Sequence, residues 1–507
     1  MEAAYSGRMR GNMGEAKKET RVLAVDFGAS SGRVMLGTYD GNKITAREIH
    51  RFSNDPVILN GTMYWDVLRL FHEIKQGLIK AKAYGGAESI GVDTWGVDFG
   101  LLDEKGFLLE NPVHYRDKRT EGTLEKGFQL IPREHFYEIT GNQFMEINTA
   151  FQLLALKEQR PELLDRADCL LMMPDLFNYF LSGVKKSERS VVSTTQMSDP
   201  RQPGWVMEVA DKFGIPAKIL TEVVPTGTLL GPVQEELQEE LGVEAMDVIA
   251  VAGHDTQCAL TAVPAKDDDF IFVSCGTWSL FGTELKEPVL TSQSQELNIT
   301  NESGTDNRTS FLKNIIGLWL VQESRRQWIR EGKEFSFSEL EKLAQEAEPF
   351  QSFIDPDAPE FAPAGNVPKR IREYCERTGQ KVPETEGEIV RCINESLALK
   401  YRYALEEIKA CTGKEYGAIH MVGGGIKSEL LCRFTAYASG IPVIAGPVEA
   451  TVFGNIAIQL MAKGIIKDLK EARKVIANSE ATVTYEPENS GKWDEVYEFY
   501  KKKILGK

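Results

Sequence analysis

Apolar positions along this chain fall into two alternating patterns: short β-branched runs closed by glycine or hydroxyl turns, and longer stretches with helical spacing. Residues 21–27 (RVLAVDF) and 33–39 (RVMLGTY) read as strands joined by the turn Gly28-Ala29-Ser30-Ser31-Gly32, and 45–52 completes a meander. Within 65–83, Val67, Leu68, Phe71, Ile74, Leu78 and Ile79 recur as they would on a helix lying over a sheet. Residues 89–94 (SIGVDT) form a strand ending at Trp95-Gly96, and 97–102 and 107–109 follow as shorter strands. The stretch 134–183 reads as mainly helical, with a short strand at 170–173, and 200–230 as helix and loop.

The segment 248–263 (VIAVAGHDTQCALTAV) joins the two patterns: its apolar run stops at Gly253 and resumes from Asp255 as a helix start. His254 and Asp255 therefore sit where a strand opens into a helix, the rim at which α/β proteins hold ligands. Asp255 either caps that helix or faces a ligand. The composition breaks at Val263-Pro264-Ala265-Lys266-Asp267-Asp268-Asp269, which divides the chain into a disordered extension (1–20) and domains over 21–263 and 264–507.

After the break the opening design returns, as strand 270–274 (FIFVS), turn Cys275-Gly276-Thr277 and strand 278–284 (WSLFGTE). Such a repeat points to duplication, with a cleft between the halves. Residues 311–328 keep helical spacing through Ile315, Leu318, Trp319 and Trp328, 346–369 read as an irregular loop, and 387–411 as a strong helix. A strand at 418–422 leads into Gly423-Gly424-Gly425, then a helix (428–439), a strand (443–445) and a long helix from Glu449 to Met461. The class is α/β.

Composition narrows the picture. The chain of 507 residues exceeds one ordinary core, and its 42% apolar and 26% charged residues are those of a soluble globular protein. With 59 basic and 75 acidic residues the net charge is −16, which argues against nucleic acid or an anionic membrane as partner. A small phosphate ligand stays compatible, because backbone N–H groups bind phosphate in acidic proteins too. Seven scattered cysteines without a CxxC pair, no membrane-length apolar run and no signal-peptide core lead to the cytoplasm as the expected compartment.

A glycine- and serine-rich hairpin turn lets backbone N–H groups converge on an anion. Asp26, at the end of the strand feeding the first such turn, would repel a bare phosphate. It fits if a divalent cation lies between, held through water, and is otherwise a buried structural carboxylate. Three glycine-centred turns (28–32, 275–277 and 423–425) suit the phosphates and adenosine of a nucleotide gripped from two sides. Neither GxxxxGK[ST] nor GxGxxG occurs.

On the motifs VDFGASSGR (25–33), IGVDTWGVDFGLLD (90–103), YRDKRT (115–120), GHDT (253–256), SCGTWSL (274–280), KNIIGLWLVQ (313–322), VGGGIKS (422–428) and AGPVEATVFGNIAIQ (445–459), the chain resembles the FGGY carbohydrate kinases over about residues 21–500. The resemblance implies the two-domain actin/hexokinase/Hsp70-like ATPase fold, with duplicated ribonuclease H-like domains around a cleft. Through DTWGVDF, GTWSL and NIIGLWL it further implies ATP- and Mg2+-dependent phosphorylation of L-rhamnulose at its C1 hydroxyl, a step of L-rhamnose catabolism. By resemblance Asp255 is the catalytic base, and Gly96, His254, Asp255, Thr256 and Asn314 contact the sugar. ATP contacts fall on Ala29, Ser30, Ser31, Gly32, Arg33, Thr277, Gln322 and Gly424, and Asp26 is the residue facing Mg2+.

Several readings stay open. Trp95 either stacks on the sugar or fills core, and His254 either positions substrate or moves protons. Arg116 and Arg119 either pair with Asp117 or reach substrate oxygens, Glu449 caps or orders the helix it opens, and Cys258 and Cys275 are packing. The rivals are an FGGY kinase of another ketose, such as L-fuculose or xylulose, and a non-catalytic sugar or nucleotide sensor. A glycoside hydrolase would leave the glycine turns without a role. Monomer and homodimer are both compatible with the sequence.

Overall fold

A computed structural model describes residues 19–28, 31–488 and 490–507. The expected extension over 1–20 lies outside the described residues as far as 18, and Thr20 already belongs to the first strand. Six strands form the first sheet: β1 (Thr20–Phe27), β2 (Ser31–Tyr39), β3 (Ile44–Ser53), β4 (Ser89–Asp93), β5 (Thr228–Pro232) and β6 (Asp247–Ala250), in the order β5-β6-β4-β1-β2-β3. Seven form the second: β7 (Ile271–Cys275), β8 (Trp278–Leu285), β9 (Thr300–Ser303), β10 (Thr309–Ile316), β11 (Ile419–Val422), β12 (Val443–Ala445) and β13 (Val483–Tyr485), in the order β9-β10-β8-β7-β11-β12-β13. Each sheet carries three antiparallel neighbours (β1-β2-β3 and β7-β8-β10) whose first strand pairs in parallel with a later one, β4 and β11 respectively. The strand–turn–strand repeat read from the sequence is thus the opening hairpin of both sheets, although in the second the chain visits edge strand β9 before returning to β10.

The parallel strands are buried on both faces, and their near-continuous apolar runs follow from that. Helix α1 (Val67–Ala81) covers one face of the first sheet with Val67, Leu70, Ile74 and Leu78. Between the two sheets lie α2 (Asp255–Thr261) and a later helix whose residues share one core with Val22 and Ala24 of β1 and Phe272 of β7. Further on, α3 (Trp319–Arg330) and α4 (Glu386–Thr412) pack over the second sheet. That partner of α2 is α5 (Ala450–Ala462), which crosses α2 so closely that a Cβ on Gly454 would lie 1.8 Å from the Cys258 carbonyl oxygen. Asn455 and Gln459 then tie α5 to strand backbone, donating to Gly91 O at 3.2 Å and Leu23 O at 2.9 Å. A separate core around Phe136, Phe151 and Phe213 belongs to the chain inserted between β4 and β5. Among the described residues no helix is long and apolar enough to cross a membrane.

Three sequence readings need correction. Residues 309–316 are strand β10, not the start of a helix; only α3 from Trp319 is helical. Buried on both faces between β8 and β9, β10 shows no apolar–polar alternation, and its isoleucines fit either period. Ser31 and Gly32 belong to β2 rather than to the turn. Residues 141–148 break the stretch read as mainly helical, lying between helices Arg133–Thr140 and Thr149–Gln159.

Candidate active site

The turns that end β1, β7 and β11, and the start of α2, converge on a cleft of about 780 Å³ between the sheets. Backbone bonds fix the start of α2: Asp255 N–H donates to Thr94 O (2.8 Å), and Thr94 N–H donates to Gly253 O (2.9 Å). Gly253 N–H donates in turn to the buried Glu188 carboxylate at 2.9 Å. His254 is the N-cap but makes no capping bond with its side chain. Asp255 Oδ1 accepts the Thr256 N–H at 2.7 Å while 32% of the side chain stays open, facing the cleft. Asp255 is therefore not the cap, which is His254, but the first residue of α2, its carboxylate accepting the neighbouring N–H and open to the cleft.

Gly96, His254, Thr256 and Asn314 line the cleft around Asp255. A Cβ on Gly96 would come within 2.9 Å of Thr194 Cγ2, so the backbone lies against that neighbour. Asn314 donates from its N–H (2.9 Å) and Nδ2 (3.1 Å) to Gln143 Oε1. The residues expected to hold nucleotide form another part of the wall: Ser31, Arg33, Thr277, Gln322 and Gly424. Thr277 Oγ1 donates to Gln322 Oε1 at 3.2 Å, and the Gly423–Gly425 turn packs against Cys275, whose sulfur would sit 2.3 Å from a Cβ on Gly425.

Other expected positions fall elsewhere. Ala29 and Ser30 lie outside the described residues. Gly32 is not in the wall; a Cβ there would strike the Phe52 ring at 2.3 Å. Asp26, also outside the wall, is buried and accepts from Arg33 Nη2 at 2.5 Å. Arg33 pairs as well with Glu449, which caps nothing with its side chain and so serves the arginine rather than α5. Trp95 both lines the cleft and fills core, its ring 4.0 Å from that of Trp65 and its Nε1 donating to Asp98 at 3.0 Å. Arg116 lies over the Trp319 ring at 4.2 Å, behind the wall residues Tyr115 and Trp278, and Arg119 donates to Gln152 at 2.6 Å; neither is itself in the wall.

Comparison with known proteins gives the family and the fold. The models of the N-terminal and C-terminal domains of the FGGY family of carbohydrate kinases match residues 21–262 and 271–463. The chain belongs to the FGGY family of carbohydrate kinases. A rhamnulokinase of Bacteroides thetaiotaomicron is 42% identical over 481 residues, 94% of this chain and 98% of that one. One of Oceanobacillus iheyensis is 40% identical over 465 residues, 91% and 97% of the two chains. The crystal structure of a ligand-bound xylulose kinase of Lactobacillus acidophilus superposes with a TM-score of 0.77 at 15% identity, covering 95% of this chain and 97% of that one. The fold is the actin/hexokinase-like ATPase fold of that family.

Charge in this FGGY site is tuned by burial. Burial raises the Asp255 carboxyl to about 6; the adjacent His254 opposes the rise and Asp26 adds to it. For His254 burial works downward, but Glu302, Asp255 and Glu188 outweigh it and the ring is held above its usual range. Asp93, opposite Asp26 in the β1–β4 register, is raised well above the carboxylate range by burial and then by Asp26. Its Oδ1 finds no partner, in keeping with a neutral carboxyl. Burial likewise pushes the Cys275 thiol up to about 12 and Cys258 well above its ordinary value, so both behave as packing.

The sequence missed Asn142, Gln143 and Glu302 beside the expected sugar residues, and Phe337, Glu341 and Asn394 elsewhere in the wall. The available signal for the first group was a polar GNQ after Thr140 in a stretch read as helical, and the wholly polar strand TNES.

Proposed function

We propose that this chain is an ATP-dependent kinase that phosphorylates L-rhamnulose at its C1 hydroxyl, giving L-rhamnulose 1-phosphate and ADP in L-rhamnose breakdown. The observation that carries the reading is the place of Asp255, whose carboxylate opens into one cleft walled both by Gly96, His254, Thr256 and Asn314 and by Ser31, Arg33, Thr277, Gln322 and Gly424. Relatives spanning nearly the whole chain, at 42% and 40% identity, bear the name rhamnulokinase, which supports the choice of ketose.

In this reading the C1 oxygen attacks the γ-phosphorus in line, the bond from that phosphorus to the β–γ bridging oxygen breaks, and ADP leaves. Asp255 takes the hydroxyl proton. A carboxylate near 6 is ionised at neutral pH yet a better base than an exposed aspartate, which suits late proton removal in a loose transition state. Among the described residues no group of three or more His, Cys, Asp or Glu side chains gathers as a metal cage. One carboxylate acting through water is how Mg2+ is often held beside nucleotide phosphates. Asp26 is the residue proposed for that role; here it is buried outside the cleft wall and paired with Arg33, so holding the ion would require that pair to open. The ion would neutralise phosphate charge. The chain works as two lobes, 21–263 and 264–507, in the cytoplasm, on small molecules and without nucleic acid or membrane, as a monomer or homodimer.

The test is ADP release from purified protein with Mg-ATP and a ketose panel. L-rhamnulose should give the highest kcat/KM. Preference for L-fuculose or xylulose would move the chain to another substrate of the same family. ATP binding without turnover on any sugar would leave the sensor reading.

A further inference from the structure

His254 is the N-cap of α2 and is buried, and its Nδ1 lies 2.9 Å from Glu302 Oε2. Its other nitrogen, Nε2, is 3.6 Å from Asp255 Oδ1. Glu302 belongs to the second sheet, on edge strand β9, whereas His254 and Asp255 follow β6 of the first. The glutamate is itself fixed. Gln257 Nε2 donates to the same Oε2 at 3.0 Å, and Gln257 Oε1 accepts from Ser310 Oγ at 2.7 Å. Strand β9 is anchored on both sides of it, through Asn301 N–H to Gly141 O (2.9 Å) and Ser303 N–H to Ser193 Oγ (2.9 Å). A carboxylate with only 4% exposure, aimed at a histidine beside a cleft-facing aspartate, is a costly arrangement unless the pair is charged and hydrogen-bonded.

We propose that Glu302 is a positioning residue for phosphoryl transfer: from the second sheet it fixes the His254 ring with Nε2 directed at Asp255, and favours the protonated ring beside the carboxylate. The inference rests on the reading of Asp255 as the proton acceptor. A carboxylate on Nδ1 sets which nitrogen faces the site, the usual device for orienting a working histidine. The resulting imidazolium is the nearest positive charge to Asp255 and works against the burial that would otherwise keep it protonated.

The other groups acting on the pair are all acidic or fixed elsewhere. Glu188 faces His254 but is bound by Ser190, Gly253 and Thr226. Asp26 of β1 acts on Asp255 with unfavourable charge, Asp93 of β4 is held neutral by burial, and Arg33 of β2 is engaged by Asp26 and Glu449. His254 thus supplies the charge that opposes burial at Asp255, so removing the glutamate should be felt at the aspartate.

The experiment measures ADP release with L-rhamnulose and Mg-ATP from pH 5 to 9 on the full chain, for wild type, Glu302→Gln, Glu302→Asp and Asp255→Asn. Glu302→Gln should move the acid limb of kcat/KM upward by about one pH unit, losing about fivefold at pH 6, about tenfold at pH 5 and far less at pH 8.5, with the KM for ATP within about twofold of wild type. Glu302→Asp, which keeps the charge but withdraws it from Nδ1, should move the limb in the same direction by less. It carries the test alone if the glutamine variant does not fold. An unshifted limb, with activity unchanged or lowered equally at every pH, overturns the proposal and makes Glu302 structural. The reading beneath it is checked separately: Asp255→Asn with near-normal turnover would remove the base itself, whatever the glutamate variants do.

Discussion

Replacing Asp255 by Asn should make the protein more stable while nearly abolishing turnover. The variant keeps the size of the side chain and an Oδ1 able to accept the Thr256 N–H now bound at 2.7 Å. It removes a charge that the fold disfavours. The rise of this carboxyl from 3.8 to about 6 would correspond to about 3 kcal/mol at about 1.4 kcal/mol per unit. Because 32% of the side chain faces the cleft, solvent screening reduces this to about 1–2 kcal/mol. In a chain this long the expected gain in apparent Tm at pH 7.5 is about 1–3 °C. The sign follows from linkage: the native state binds the proton more tightly than the unfolded state, so wild-type stability falls as pH rises from about 4 to about 6. Below pH 4 the wild-type carboxyl is neutral in both states and the advantage of Asn disappears. Thermal unfolding at pH 4 and 7.5, with ADP release at pH 7.5, reads both halves. Turnover should drop at least about a hundredfold, the usual scale for losing a general base. A variant less stable than wild type at pH 7.5, with turnover retained, would refute the reasoning and leave Asp255 as a structural residue of the first turn of α2.

Other perturbations separate the two parts of the cleft. Gly96→Ala brings a Cβ to 2.9 Å from Thr194 Cγ2, and displacing that neighbour should raise the KM for L-rhamnulose about tenfold while the KM for ATP stays within about twofold in initial-rate assays. Gly425→Ala places its Cβ 2.7 Å from the Cys275 carbonyl oxygen, which cannot yield as a flexible side chain would. The reverse pattern is expected, with the KM for ATP up at least about tenfold. Arg33→Ala unpairs Asp26 and Glu449 together and should cost about 2–4 kcal/mol in urea unfolding, with weaker ATP binding by calorimetry. Unchanged stability would mean that the two carboxylates are solvated without it.

What the sequence revealed, and what it hid, follows the range of the interactions. The turn at Gly253 was legible because a strand ends and a helix begins within a few residues, each with its own period. Strand β10 was not, because burial on both faces removes the alternation that distinguishes a strand from a helix. Gln143 and Glu302 were hidden for another reason. Their partners Asn314 and His254 lie 171 and 48 residues away and meet only through sheet topology, which no local spacing encodes.

The helix α5 shows how the two ranges combine. Its sequence carries Asn455 and Gln459 one turn apart in an otherwise apolar stretch, a pattern that in isolation looks like a defect in a buried helix. In the fold those two side chains pair with β1 and β4, and Asn455 also donates to Asp93 Oδ2 at 2.6 Å. The same contact fixes α5 against the first sheet and favours an ionised Asp93, but burial and the facing Asp26 outweigh it and keep that carboxyl neutral. A second ionised carboxylate there would raise Asp255 further and leave it protonated at neutral pH. The polar positions of a helix that touches no part of the cleft near Asp255 except through Thr451 thus help to set the charge of the group expected to take the proton.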